Sequence, residues 1–147
     1  MRERSLLLLF IAVCFSCQMN MENKSERPVS LAGTKWKLAG IVETQKSDLK
    51  VLEPIECEQC YIIYFDSDCT IVGFTTSNEI IGTYKINFEE KSIIFISFGG
   101  TKVGELGDGK LWWDIFPTIK SFFLKKNELR LYYNNQKNYL LFNQIEL

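Results

Sequence analysis

Read for the alternation of apolar and polar side chains, the chain from about residue 31 onward is mostly strands separated by turn chemistry. In TKWKLAGIV, Trp36 and Leu38 alternate with Lys35 and Lys37, so this strand should be half-buried. CYIIYF and CTIVGFT are apolar on both faces and are joined by Asp66, Ser67 and Asp68, which predicts a hairpin deep in a sheet. EIIGTYKINF puts Ile80, Gly82, Tyr84, Ile86 and Phe88 on one face and Thr83, Lys85 and Asn87 on the other, so that strand has a wet side. EEKS turns the chain into a second apolar strand, IIFISF. TIKSFFL, ELRLYY and NYLLFNQI close the series, turning at Lys126-Asn127 and Asn134-Asn135, with Leu129, Leu131 and Tyr133 on the face opposite Arg130.

Two segments depart from this pattern. GGTKVGELGDGK is dense in glycine, which permits positive φ and close backbone approach, and it predicts a kinked strand followed by an exposed loop. In LWWDIF, residues Leu111, Trp112, Ile115 and Phe116 fall at helical spacing, yet the run is short and aromatic, and Pro117 ends it. The expected fold is all-β: an antiparallel meander of about eight to nine strands, closed or nearly closed into a small barrel that protects its edges, with room for one short helix near 110–116.

The first residues, MRERSLLLLFIAVCFSC, are built differently. Arg2 and Arg4 form a basic end and Leu6 to Val13 an apolar run. That run is too short for a bilayer, which needs about 20 apolar residues. It is expected to be an export signal. Its end, Cys14-Phe15-Ser16-Cys17, resembles the lipobox of bacterial lipoproteins, although Cys14 stands where that motif usually has Leu. The resemblance makes residues 1–16 a signal peptide and Cys17 the lipid-bearing first residue of the mature chain; an ordinary secretory signal is the competing reading. Residues 17–30 are polar and unpatterned, as in a flexible tether. Gln18, in place of the Asp that retains lipoproteins in the inner membrane, implies through the same resemblance an outer-membrane protein of a Gram-negative-type envelope, facing the periplasm or the exterior. Residues 31–147 are one domain's worth of chain.

Composition narrows the chemistry. Net charge is −1 with no long basic run, so the field that nucleic acid requires is lacking. There is no histidine, which removes a His general base, the Ser-His-Asp and Cys-His pairs and the commonest zinc ligand. No catalytic residue, metal or cofactor is expected. A hydrolase using paired carboxylates is a remote alternative, because Asp66, Asp68, Glu89, Glu90 and Asp108 fall where turns are expected and Asp in turns usually bonds its own backbone.

At VGFTTSNEIIGTYKI, through Gly73, Asn78, Gly82 and Tyr84, and at LAGTKWKL, through Leu31, Gly33, Thr34 and Trp36, the chain resembles the META/HslJ-like family of small envelope lipoprotein domains. The likeness implies a non-catalytic envelope module that holds a small apolar ligand or another envelope protein, and it gives Trp36, Gly73, Asn78, Gly82 and Tyr84 structural roles. Two features depart from the family: its loop Cys is Ser77 here, and GGTKVGE replaces a later Cys motif. Size, lipidation and the all-β pattern also resemble the potempins, lipoproteins that inhibit peptidases released by the same cell.

Cys57 and Cys60 in ECEQC are open to three readings: redox centre, half of a metal site, or covalent staple. A zinc site without His would need a carboxylate to complete it. A redox pair normally opens a helix, whereas this one opens a strand. An oxidising envelope favours a disulfide. Cys69, at the head of an apolar strand, is expected to be a buried free thiol. The leading functional expectation is a monomeric binding module, a proteinaceous peptidase inhibitor with a rigid loop. Its candidate contacts are Glu56, Glu58 and Gln59 in the stapled loop and Gly104, Glu105, Gly107, Asp108 and Gly109 in the glycine loop, with Glu58 placed to approach the metal of a metallopeptidase.

Overall fold

A computed structural model describes residues 30–147. The expected signal peptide, Cys17 and all of the tether before Ser30 lie outside the described residues. The strands are β1 (Thr34–Glu43), β2 (Asp48–Lys50), β3 (Ile62–Phe65), β4 (Thr70–Phe74), β5 (Glu79–Asn87), β6 (Ser92–Gly100), β7 (Ser121–Lys125), β8 (Glu128–Tyr133) and β9 (Asn138–Ile145). Between β6 and β7 lie a helix, α1 (Gly109–Ile115), and a 3-10 turn, Phe116–Thr118. LWWDIF is thus helical, as the spacing of Leu111, Trp112, Ile115 and Phe116 allows.

The neighbours run β1-β3-β4-β5-β6-β7-β8-β9, all antiparallel, and β9 returns to β1 through Lys35↔Ile145 to Glu43↔Asn138, so eight strands close a barrel. β2 is an extra strand that pairs with the far half of β1. It is too short for alternation to reveal. Period-2 patterning puts Trp36, Ile63, Phe65, Ile71, Leu131 and Phe142 inside, each essentially inaccessible. One pole of the barrel carries the chain's entry and the β3–β4 turn: Gly33 N–H donates to Phe65 O at 2.7 Å, and Thr34 N–H to Leu31 O at 3.2 Å. Gly33 sits at φ 73, the left-handed third position of a turn. Trp36 Nε1 donates to Thr34 Oγ1 at 2.7 Å, which satisfies its buried N–H. At the other pole gather residues 51–61, the β4–β5 loop, residues 101–108 and α1.

The wall differs from expectation in one respect. β4 is not buried on both faces: Val72 (42% exposed) and Phe74 (48%) point to solvent, and so do Ile94 and Ile96 of β6, whereas in β3 the neighbours Ile62 and Ile63 are both buried and Tyr64 is half-buried, as expected. A barrel has one core, so an apolar outer face stays wet whatever its composition. Cys69 is also not buried. It is an exposed free thiol in the turn before β4, at φ 64, because the Asp66–Asp68 turn reaches one residue further than the pattern implies.

Candidate functional site

The pole that carries α1 is organised around two charged side chains. Lys37, on the outer face of β1, reaches over the ECEQC turn, and its Nζ donates to Cys57 O at 2.7 Å, Glu58 O at 3.2 Å and Cys60 O. Burial pulls the Lys37 ammonium below its ordinary pKa, partly offset by Glu58. The same turn is closed by a Cys57–Cys60 disulfide with the Cα atoms 5.4 Å apart. Its backbone is therefore fixed twice, while Ile55, Glu56, Glu58 and Gln59 remain exposed. So small a loop restrains the unfolded chain by about 2 kcal/mol in the chain-entropy picture. Alkylation of denatured residues 30–147 should tag Cys69 alone, and all three cysteines after reduction; three reactive thiols at the outset would refute the staple. Replacing Lys37 with Met should cost about 1–2 kcal/mol, because three carbonyls lose a charged donor, with faster proteolytic nicking between residues 55 and 59 as the readout.

The second centre is Glu105. Its Oε1 accepts from Thr75 Oγ1 (2.6 Å), Asn78 Nδ2 (2.6 Å) and Trp113 Nε1, and its Oε2 accepts from Thr76 Oγ1 (2.5 Å) and Thr76 N–H (3.3 Å). Burial opposes ionisation, yet the donors from Thr75, Thr76, Trp113 and Asn78 outweigh it and hold the carboxyl at about 2. Asn78 is buried and spans the same loops: its Oδ1 accepts from Val103 N–H at 2.7 Å and Thr101 Oγ1 at 3.0 Å, and its Nδ2 also donates to Val103 O at 2.8 Å. Asp108 accepts from Glu53 N–H at 3.0 Å and Lys50 Nζ at 3.1 Å, and the first of these draws its pKa down. Gly107, at φ 50, lies so close to Glu53 O that a Cβ there would come within 2.4 Å.

The glycine loop therefore differs from the expected contact surface. Glu105 and Asp108 are turned to neighbouring loops, and Gly109 is buried as the first residue of α1. The loop's exposed apolar side chains are Val103 and Leu106, with Gly104 open between them. Sequence reasoning missed both Lys37 and the Glu105 hub, although TTSN ahead of a clean strand was a visible polar cluster. Asp66 accepts from Ser67 N–H at 2.6 Å, and Asp68 from Thr70 N–H at 3.0 Å and Thr70 Oγ1 at 2.5 Å. Trp112 and Phe122 belong to the core, whereas Phe123 lies half under the Arg130 guanidinium, 5.1 Å from its centroid. Gly73 and Gly82 are close approaches, since a Cβ would meet Ile62 O at 2.0 Å or Ser97 O at 2.5 Å; Tyr84 packs edge-on against Phe65.

Beside the stapled turn the outer wall forms a groove of ≈ 570 Å³ lined by Gln59, Ile62, Tyr64, Val72, Phe74 and Ile81. It is apolar and continuous across β3, β4 and β5 through the pairs Tyr64↔Val72 and Val72↔Ile81.

Over 137 residues the chain is 32% identical to a Tannerella forsythia protein described as "Putative lipoprotein", covering 92% of this chain and 89% of that one. The chain belongs to that lipoprotein's family. This supports an envelope-associated protein, in keeping with the lipobox-like Cys14-Phe15-Ser16-Cys17. No protein-family model matches the chain. In structure it is similar to a DUF4847 family protein from Bacteroides vulgatus, with TM-score 0.60 and 14% identity over 77% of this chain and 93% of that one. It is also similar to a protein from Burkholderia xenovorans, with TM-score 0.64 and 15% identity over 80% and 85% of the two chains. At these identities the likeness is one of fold.

Proposed function

We propose that the chain is a non-catalytic envelope module, tethered to the outer membrane through a lipidated Cys17, that binds other proteins and inhibits a peptidase by presenting the stapled turn. The observation that carries this reading is a turn whose backbone is held by a disulfide and by Lys37 while Glu58 and Gln59 face solvent. A loop already in its bound shape loses less entropy on entering a cleft. The apolar groove adjoining Gln59 supplies area for a partner's surface. The mature chain, incubated with peptidases secreted by its own organism, should slow one of them at micromolar concentration, and a Glu58→Ala, Gln59→Ala double variant should relieve that inhibition. Unchanged peptidase activity at that concentration rules out inhibition.

A second reading is favoured by the groove itself and by the META/HslJ resemblance: a small apolar ligand held on the outer wall. The barrel interior is filled by Trp36, Trp112, Phe65, Phe116 and Phe142, which leaves the outer groove as the place for such a ligand. Native mass spectrometry of protein from its own host separates the two readings, since a co-purifying apolar molecule supports the second and a clean chain opposes it.

A further inference from the structure

β6 is paired with β5 along its length, but with β7 only at Ser92↔Ser121, a contact extended by Ile93 N–H to Lys120 O and Phe122 N–H to Lys91 O. From Ile94 to Gly100, no strand among the described residues borders its other edge. Antiparallel pairing alternates the direction of backbone groups, and Thr101 N–H donates to Glu79 O on the β5 side. Gly99 and Ser97 therefore also bond toward β5, while Phe98 and Gly100 turn N–H and C=O to the open side. Below the bulge opposite Thr83 and Tyr84, Ile93 bonds toward β7, and alternation sends Phe95 the same way. Among the described residues, none of these groups has a backbone partner on that side.

The surroundings of this edge suit a strand. Its inner face is backed by rigid aromatics, with Phe95 and Phe98 packed on Phe116 at 4.4 and 4.6 Å and Phe98 on Trp113 at 4.9 Å. Its outer face offers Ile94 (45% exposed) and Ile96 (59%), and Gly99 and Gly100 leave bare backbone at the end. Lys85 stands opposite Ile94, Lys102 follows the strand, and Lys91 and Lys120 flank its start; Glu79, Glu89 and Glu90 are the nearby acidic residues, the last two confined to the turn before the strand, while Asp114 is taken by Lys110 at 2.8 Å. Lysines and a bulge are devices that keep an edge from pairing with a copy of itself. They leave a segment of opposite charge as the match.

We propose that the open half of β6 is a docking edge for an extended segment of a partner protein with alternating acidic and apolar residues. The segment adds as a further strand, bonding to the backbone of Phe95, Phe98 and Gly100 and laying its apolar side chains beside Ile94 and Ile96. Only the Gly100 end of this edge lines the groove beside Gln59, whereas Ile94 to Phe98 do not, so protection at Phe95 and Phe98 distinguishes this docking from peptidase inhibition.

Amide exchange in the free, isotopically labelled mature chain gives the first test. Phe98 and Gly100 should exchange far faster than Ser97 and Gly99; equal protection means that the edge is already occupied and overturns the proposal. A capped peptide of about eight residues, within the usual range of strand lengths, alternating Val and Glu, should then protect the Phe95, Phe98 and Gly100 amides. The same peptide N-methylated at alternate amides should bind at least about tenfold more weakly, the equivalent of losing roughly one net hydrogen bond. Ile96→Lys should weaken binding, and Lys102→Glu with Lys120→Glu should shift preference to a Val-Lys peptide. Equal affinity for the N-methylated peptide, or protection elsewhere in place of these amides, overturns the edge as the site.

Discussion

Glu105→Ala is expected to lower stability by about 3 kcal/mol, because donors from Thr75, Thr76, Asn78 and Trp113 lose a charged acceptor in a half-buried setting. The melting temperature should fall by roughly 10 °C for a domain of this size. Glu105→Gln keeps the volume but sets an amide N–H₂ against other donors, so it should recover only part of the loss. The wild-type carboxyl is held below its ordinary 4.5, at about 2. Its stabilising effect is thus complete above pH 4.5 and disappears as pH falls toward 2. Denaturant titrations across that window should show a slope in the wild type that is reduced in Glu105→Gln. If the slopes coincide, the hub does not carry the acid sensitivity. The loops at this pole should loosen together in the alanine variant, because Glu105 bonds Asn78, which in turn bonds Val103 and Thr101, and both Glu105 and Asn78 bond the Thr75 hydroxyl.

Trp112→Ala should have the largest effect of any single core change. Trp112 is inaccessible and packs against Tyr61 (5.7 Å), Phe116 (5.0 Å) and Phe142 (5.7 Å), so it joins α1 to residues from β9 and from the entry to β3. Truncating a buried Trp costs about 3–5 kcal/mol through lost transfer energy and the cavity left behind. That is comparable with the whole stability of a small domain, so the expected result is a chain mostly unfolded at physiological temperature. Trp112→Phe is the informative companion. The Trp112 Nε1 has no hydrogen-bond partner among the described residues, so removing it strands nothing, and only the volume change should be felt. A Phe variant as damaged as the Ala variant would mean that the full indole volume, and not an aromatic ring alone, is needed to fill this position. Far-UV circular dichroism and chemical denaturation read both.

How much of this was legible depended on what each side chain faces. EIIGTYKINF could be assigned to the right faces from Ile80 to Ile86, because water on one side forces alternation, but Phe88, past the end of β5, is exposed. CYIIYF could be read as buried on both faces, but CTIVGFT could not be told from it, because an apolar outer wall and a doubly buried strand read alike; hydrophobicity records composition and not what covers it. Leu111, Trp112, Ile115 and Phe116 lay at helical spacing, but so short and aromatic a run left helix and strand both open, and only the packing of Trp112 inside the barrel decides it. Lys37 looked like any lysine on a wet face, and the turn that it braces is twenty residues away. Glu105 was visible as a loop residue, but apart from Trp113 its partners come from the β4–β5 hairpin, and nothing in the local spacing marks a contact between segments that far apart. The disulfide could be narrowed by chemistry and compartment because its partners are neighbours. Cys69 was misplaced by a single residue of turn length, which was enough to move it from the expected interior to the surface.

The position of Ser30 sets the polarity of the whole particle. The chain leaves the barrel where Gly33 bonds Phe65, at the pole opposite Cys57 and Cys60. Whatever is joined ahead of that residue, an acyl group, a purification handle or a sensor chip, attaches on the side of the body away from the braced corner and leaves that corner unobstructed.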